Sequence, residues 1–359
     1  MKRPFLRFAA ICSVFAVAAT TIADDVIDTG SLRLIPLADD VYVVEPTFAG
    51  ANGVLILNET GHVVVDTHGS PASAAALIDA VKTISDKPIR FVVNTHWHVD
   101  HHSGNEAYRK SFGNDVVFIS QHETREEIPT LGRDQYTQME SYLNMPVQAA
   151  NEHLASGQND HDSTLTANQL ANIRTFKEHQ TEFAGRDNFE FTLPDLTYER
   201  SLTLHGGPNT IEVFYLYPAH TKTDSIVYLR DKKILVIGDL LTQPILWSWS
   251  SFPVSYVRTL RELEQLPAEK IVIGHGEPVL YDKTYLIQVR QFLEAIVDYT
   301  QRSKADRISE ENAIEAAVST EGIQQFRRRF VTEEDDGMFD QMVGWTVARA
   351  YAELSQGED

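Results

Sequence analysis

The stretch that most limits what this chain can be is Phe91-Val-Val-Asn-Thr-His-Trp-His-Val-Asp-His-His-Ser-Gly-Asn105. It opens on an apolar, β-branched run, Phe91 to Val93, of the kind that forms a buried strand. His96, His98, Asp100 and His101 then follow within six residues. A strand fixes where such a segment starts and a loop lets several side chains converge, which suits a metal site. His96 and His98, two apart, can reach one cation; Asp100 and His101 are placed to reach a second. Ser103 is expected to cap a helix running on to Phe112. A single histidine after a strand is ordinarily just solvated or hydrogen-bonded, but four donors at this spacing need another explanation.

The pattern H-x-H-x-D-H resembles the signature of the metallo-β-lactamase fold superfamily. The resemblance implies an α/β chain folded as a four-layer αββα sandwich. The sequence before the motif agrees, because Leu32–Leu37, Val41–Glu45, Val54–Leu57 and Val63–Val65 read as successive strands separated by turns. Pro71 to Ile84 has helical spacing, with Pro71 in its first turn. After the strand Val116–Ile119 the character changes. From about 121 to 194 helix dominates, including Gln135–Leu143 and Leu165–Phe183, and this reads as an insertion that walls an active site, mediates a homodimer, or merely decorates the fold. Strands return at Tyr198–Leu204, Ile211–Tyr217, Asp224–Leu229, Ile234–Ile237 and Ile271–Ile273. Helices are expected at Pro253–Leu266, Tyr281–Gln301, Ser309–Val318 and Met338–Leu354. The resulting division is 1–23 a signal peptide, 24–305 the metallo-β-lactamase-like domain, and 306–359 a C-terminal helical extension.

Three later positions each follow a strand as the first cluster does: His220 in Pro218-Ala-His-Thr, Asp239 in Ile237-Gly-Asp-Leu, and His275 in Ile273-Gly-His-Gly. Each alone is a weak signal. Carried over from the family, they complete two cation sites. His96, His98 and His220 would hold one ion, Asp100, His101 and His275 the other, and Asp239 would bridge. Zinc is the expected metal at two ions per chain, with iron or manganese as alternatives. Asp66 and the hydroxyls of Thr95 and Thr221 are candidates to fix imidazole tautomers, Asp66 being equally readable as a turn residue. His68 and His102 fall outside the ligand pattern. His122, His153, His161 and His179, within the insertion, show no ligand spacing.

The N-terminus places Lys2, Arg3 and Arg7 before an apolar run from Phe8 to Ile22, then Thr21-Ile22-Ala23. This reads as a secretory signal cleaved before Asp24, implying a periplasmic or secreted protein with no stable membrane insertion afterwards. Cleavage would remove Cys12, the only cysteine. The formal charge of −20 repels phosphate backbones and anionic lipid, so nucleic acid is not an expected partner. A small molecule is.

Two divalent cations acidify a shared water, so hydroxide becomes available for attack on an ester, lactone, thioester or amide carbonyl. Asp100 is the expected catalytic carboxylate, orienting the nucleophile and passing its proton to the leaving atom. A bridging aspartate resembles the hydroxyacylglutathione hydrolases. The best-known β-lactamase branch has a cysteine there, and Thr242 stands where that branch carries a lysine and lactonases of the fold a tyrosine. The alternatives are an iron-dependent oxygenase similar to the persulfide dioxygenases, a β-lactamase, and a binding protein without catalysis. Trp247, Trp249, Phe252 and Tyr256 are candidates to line an apolar substrate pocket or to pack beneath the insertion.

Overall fold

The strand His62–Val65 shows how the sequence builds layers. Val63 and Val65 join one apolar cluster and Val64 another, all at most 1% exposed. Alternate residues of a strand face opposite sides. A strand apolar at every position is therefore one covered on both faces.

The computed structural model describes residues 26–47, 50–158, 164–165, 170, 174, 191–331 and 336–356. The expected signal segment 1–23, His161, His179 and nearly all of the helix expected over Leu165–Phe183 lie outside the described residues. Among the described residues, no helix is long and apolar enough to cross a membrane.

The first sheet runs β1 (Ile27–Asp28), β2 (Leu32–Ala38), β3 (Val41–Pro46), β4 (Gly53–Ile56), β5 (His62–Val65), β6 (Ile89–Val93), β7 (Val117–Gln121) and β8 (Leu196–Tyr198) in spatial as in chain order. β1 to β5 pair antiparallel, while β5 to β8 pair parallel. The second sheet contains β9 (Ser201–Leu204), β10 (Ile211–Phe214), β11 (Ile226–Leu229), β12 (Ile234–Val236), β13 (Lys270–Val272) and β14 (Val279–Leu280), in the order β14-β13-β12-β11-β10-β9. Only β12 and β13 pair parallel there.

Between the sheets lies a dry layer of Val43, Val65, Val93, Ile119, Val227, Val236 and Val272 with their neighbours. The outer face of the first sheet packs on α1 (Pro71–Ile84) through Leu77, Ile78 and Val81. Ser70 caps α1 by accepting the Ser73 N–H at 3.1 Å. The outer face of the second sheet packs on α6 (Pro253–Gln265), α7 (Thr284–Ala305) and α11 (Asp336–Gln356). Together these are the four layers of an αββα sandwich. Residues 306 to 356 carry α8 (Glu310–Ala317), α9 (Glu321–Gln324), α10 (Arg327–Phe330) and α11, and their buried side chains, Phe326, Phe330 and Phe339 among them, share one core with Phe292 of α7.

Three local expectations change. The strand expected over Tyr198–Leu204 is two, since the chain leaves the first sheet at Tyr198 and enters the second at Ser201. The helix expected over Ser103–Phe112 starts at Asn105 (α3, Asn105–Phe112) and is preceded by an unexpected short helix, α2 (Val99–His102), which Ser103 closes at its C-terminal end. Ser103 is thus no N-cap. The insertion opens with α4 (His122–Glu127), a wide helical turn over Ile128–Gly132, and α5 (Arg133–Ser156), much longer than Gln135–Leu143.

Candidate metal centre

All the expected ligands converge at one edge of the sandwich, where parallel strands end. β6 delivers His96 and His98, and the short helix α2 carries Asp100 and His101. Asp239 follows β12, His275 follows β13, and His220 lies between β10 and β11. Donor atoms of His96, His98, His220 and Asp239 lie within 4.8 Å of one another, and so do those of Asp100, His101 and His275.

Asp239 joins the two groups. Its Oδ2 is 3.5 Å from His220 Nε2 and 3.9 Å from His96 Nε2, while its Oδ1 is 3.1 Å from His101 Nε2 and 3.5 Å from His275 Nε2. His98 Nδ1 faces His220 Nε2 at 3.0 Å, and Asp100 Oδ2 lies 3.1 Å from His275 Nε2. Room for this comes from glycine. A Cβ on Gly274 would stand 1.9 Å from Asp239 Oδ1, and Gly238, at φ +50°, would meet Thr95 Oγ1 at 2.8 Å.

Each first-sheet imidazole is turned by a partner on its other nitrogen. The Asp66 carboxylate can only accept, so His101 Nδ1–H donates to its Oδ2 at 2.7 Å and leaves Nε2 free. Thr95 Oγ1–H donates to Asp66 Oδ2 at 2.8 Å, so the Thr95 hydroxyl oxygen in turn accepts from His96 Nδ1–H at 3.0 Å. Ser250 Oγ–H donates to the His220 carbonyl at 3.0 Å and accepts from His98 Nε2–H at 3.3 Å. Asp66 is therefore both a turn residue, at φ +58°, and the anchor of two ligands. Thr221 does not play the expected part. Its hydroxyl donates to Asp224 Oδ1 at 2.9 Å, and His220 Nδ1 makes no hydrogen bond.

The site's electrostatics favour a cation. Burial holds His96 and His98 well below the ordinary histidine range, so both are neutral donors at pH 7. Burial works against charge on His101 and His275 too, but Asp239 and Asp100 outweigh it, raising His101 well above its ordinary value and His275 to about 10. His96 Nε2 is buried without a hydrogen-bond partner, which costs on the order of 1–3 kcal/mol and is relieved by ligation, whereas His101 Nε2 has Asp239 Oδ1 at 3.1 Å. Imidazole and carboxylate donors with two clusters sharing one aspartate fit a pair of divalent cations.

His68 and His102 are ligands to neither cluster. Each donates to a backbone carbonyl, His68 Nδ1–H to Ala51 and His102 Nε2–H to Trp97, both at 2.9 Å, and burial lowers each to about 4. His122 is exposed. Tyr256 is fully buried and donates to the Leu240 carbonyl at 2.7 Å, so it braces the Asp239 turn rather than lining a pocket. Thr242 is likewise buried, with its hydroxyl donating to Ile245 O at 2.9 Å.

Three contributors have no signal in the sequence. Gln135 Oε1, from the insertion, accepts the Val99 N–H at 2.9 Å and caps the turn bearing Asp100 and His101. Ser250 sits in the run Trp247–Ser251, where only the tryptophans draw notice. Asn52 Nδ2 donates to Ile273 O at 3.0 Å, and Asn52 N–H to Gly274 O at 2.7 Å, holding the His275 turn from the opposite sheet.

Residues 46–275 match the sequence pattern of the metallo-beta-lactamase superfamily. A linear primary-alkylsulfatase from Pseudomonas sp. (strain ATCC 19151) is 24% identical over 231 residues, 61% of this chain and 40% of that protein. The chain thus spans well under half the length of that relative. A metallo-beta-lactamase from Pontibacter korlensis superposes at a TM-score of 0.50 with 21% identity, covering 73% of this chain and 99% of the other. One from Erythrobacter litoralis, with beta mercaptoethanol in its active site, gives 0.51 with 15% identity over 75% and 99%. These two likenesses concern the fold.

Proposed function

The chain belongs to the metallo-beta-lactamase superfamily and is a metal-dependent hydrolase of that superfamily, and from this premise we propose a binuclear enzyme that cleaves ester-type bonds in a small molecule. The observation that carries the reading is the Asp239 carboxylate, whose two oxygens face the two donor clusters separately. We assign one cation to His96, His98 and His220, a second to Asp100, His101 and His275, and the bridge to Asp239. Divalent cations held there, zinc by preference, supply Lewis acidity and a source of hydroxide at neutral pH.

The chain's own residues do the rest. Asp100 and His275 are the most open members of the cluster, with side chains 22% and 24% exposed against 5% or less for His96, His101, His220 and Asp239. The Asp100 carboxylate therefore meets the substrate side, where it orients the attacking water, takes its proton and passes it to the leaving atom, oxygen in an ester or lactone and sulfur in a thioester. Asp66, Thr95 and Ser250 keep the imidazoles in the ligating tautomer. A carboxylic ester, lactone or thioester is the leading substrate class. The alkylsulfatase relative supports a second one, a sulfate ester, cleaved with the same ligands. Export is part of the proposal too, and rests on the charged-then-apolar N-terminus; cytosolic protein that retains residues 1–23 would contradict it.

The test is metal analysis of native protein together with turnover of aryl esters, lactones, thioesters, β-lactams and alkyl sulfates before and after chelation. About two metal ions per chain and hydrolysis abolished by chelator and restored by zinc are expected. Metal-free native protein, or hydrolysis indifferent to chelation, would overturn the reading.

A further inference from the structure

Beside the first donor cluster stands an aromatic wall that coordination does not require. The Trp249 ring stacks on His98, with centroids 4.9 Å apart and planes 15° from parallel, and meets Trp97 edge-on at 5.7 Å. Trp97 is buried at 4% exposure; Trp249 stays 38% exposed although one face is covered by His98. Trp247, two residues earlier, is 37% exposed and leans on Trp345 of α11 at 6.2 Å. The insertion comes close to this wall, since a Cβ on Gly132 would be 3.2 Å from the Trp97 carbonyl.

The exposure is built in. Between the two indoles, Ser248 is buried, its Oγ donating to Met342 O at 3.3 Å and accepting from Thr346 Oγ1 at 2.8 Å. Ser251, also buried, donates to Ser248 O at 2.7 Å, and Arg349 Nε donates to Ser251 O at 2.8 Å. The backbone is thereby pinned to the core on one side, and Trp247 and Trp249 face outward on the other. Rigidly held, solvent-facing aromatic surface at a reaction centre marks a site for apolar ligand. Thr242 offers no competing polar handle, since it is buried and engaged.

Resting on the hydrolase reading, we infer that the substrate carries an apolar alkyl or aryl substituent which lies on Trp249 and Trp247 while its reacting group sits at the cations. Specificity would then follow hydrophobic length. Full burial of a methylene is worth ~0.8 kcal/mol, or roughly fourfold in affinity, and a one-sided wall should give about twofold.

The test is binding, not turnover: butane-, hexane- and octanesulfonate titrated against the metal-loaded full chain by calorimetry. Wild-type protein should tighten about twofold per added methylene. Trp249→Ala should lose at least half of that dependence, and Trp249→Phe should recover most of it. In unsubstituted protein, a bromoalkyl sulfonate should quench tryptophan emission saturably, which needs no variant to fold. A flat wild-type chain-length series, an undiminished one in Trp249→Ala carrying normal metal, or no quenching would overturn the inference. Because sulfonates are not hydrolysed, these results stand apart from the hydrolase test, which fails on metal content and chelation.

Discussion

Asp66→Asn separates orientation from coordination. Three donors converge on this carboxylate, which is 1% exposed: Thr95 N–H on Oδ1, and Thr95 Oγ1–H and His101 Nδ1–H on Oδ2, at 2.7 to 2.8 Å. Asparagine keeps the volume but replaces one acceptor with a donor. With its oxygen in the Oδ2 position, the amide NH2 faces the Thr95 N–H, donor against donor. Flipped, the NH2 faces His101 Nδ1, which relieves the clash only by moving its proton to Nε2, the atom needed for metal. A hydrogen bond to a charged group is worth about 1.5–3 kcal/mol, and loss of such a supporting partner typically costs 10–100-fold in metal affinity. We therefore expect Asp66→Asn to weaken the His101 site by roughly 10–100-fold and the His96–His98–His220 site by less.

Thr95→Val supplies the mirror experiment, since it removes the hydroxyl that turns His96 while leaving the Asp66–His101 bond in place. It should weaken the first site more than the second. Stepwise titration of metal-free protein with cobalt, competed against a chromophoric chelator, resolves the two occupancies by their absorption. If both variants weaken the same site, or Asp66→Asn binds both ions as tightly as wild type, the tautomer argument is wrong.

Glu127 gives a pH-dependent expectation. Burial raises its carboxyl to about 7 from an ordinary 4.5, against the pull of Lys222, and its Oε2 finds no hydrogen-bond partner. Folded and unfolded chains both hold this proton below pH 4.5; above it the unfolded chain releases the proton first, so folding is penalised increasingly up to pH 7 and fully beyond. Glu127→Gln should thus stabilise by on the order of 1–2 kcal/mol at pH 8, after allowance for partial exposure, and change little at pH 4; urea melts at both values check the sign. Gln135→Leu should cost about 1 kcal/mol as a lost helix cap and lower kcat more than it raises KM, while Gln135→Glu, which keeps an acceptor, should retain most of the rate. Phe292→Ala, at a fully buried ring contacting Phe326, Phe330 and Phe339, should destabilise by about 3–5 kcal/mol with little effect on metal content, as read by denaturation and elemental analysis.

What could be read from the chain in advance was whatever is carried within one element. His96, His98, Asp100 and His101 share one segment and stand out by their spacing; His220, Asp239 and His275 each follow an apolar run, a weak signal alone that only the resemblance to the family turned into a ligand set. The strands were legible for the same reason, since Val63–Val65 and Ile234–Val236 are short apolar β-branched-rich runs between turns, whereas their stacking in four layers was implied by the resemblance. The missed contributors act across the fold. Gln135 reaches Val99 over 36 positions, Ser250 reaches His98 over 152, and Asn52 reaches Ile273 over 221. Neither periodicity nor propensity reports such pairs. Thr221 was misread because its neighbour Asp224 competes for the hydroxyl, and Ser103 because a helical turn had already begun at Val99. The break between Tyr198 and Ser201 leaves no mark either, since residues on both sides alternate as strand residues do.

The ligands divide between the halves of the sandwich: His96, His98, Asp100 and His101 hang from the first sheet, and His220, Asp239 and His275 from the second. A cage made that way could in principle assemble only when cations draw the halves together. The contacts around it argue otherwise. Asn52 ties the first sheet to Ile273 and Gly274, Ser225 N–H donates to Thr95 O at 2.7 Å, and Tyr198 OH donates to Ser225 Oγ at 2.6 Å. Further off, Asn209 Nδ2 donates to Asp40 Oδ2 at 2.7 Å. None of these bonds uses a ligand side chain, and the dry layer of valines between the sheets needs no metal to close. The halves are therefore joined by hydrogen bonds and apolar burial that use no ligand side chain, and the donors are held close to one another by that docking. Cation affinity is then spent on chemistry rather than on folding, which is why substitutions one bond behind the ligands, at Asp66, Thr95, Ser250 or Gln135, are where the function of this chain is most open to change without loss of its fold.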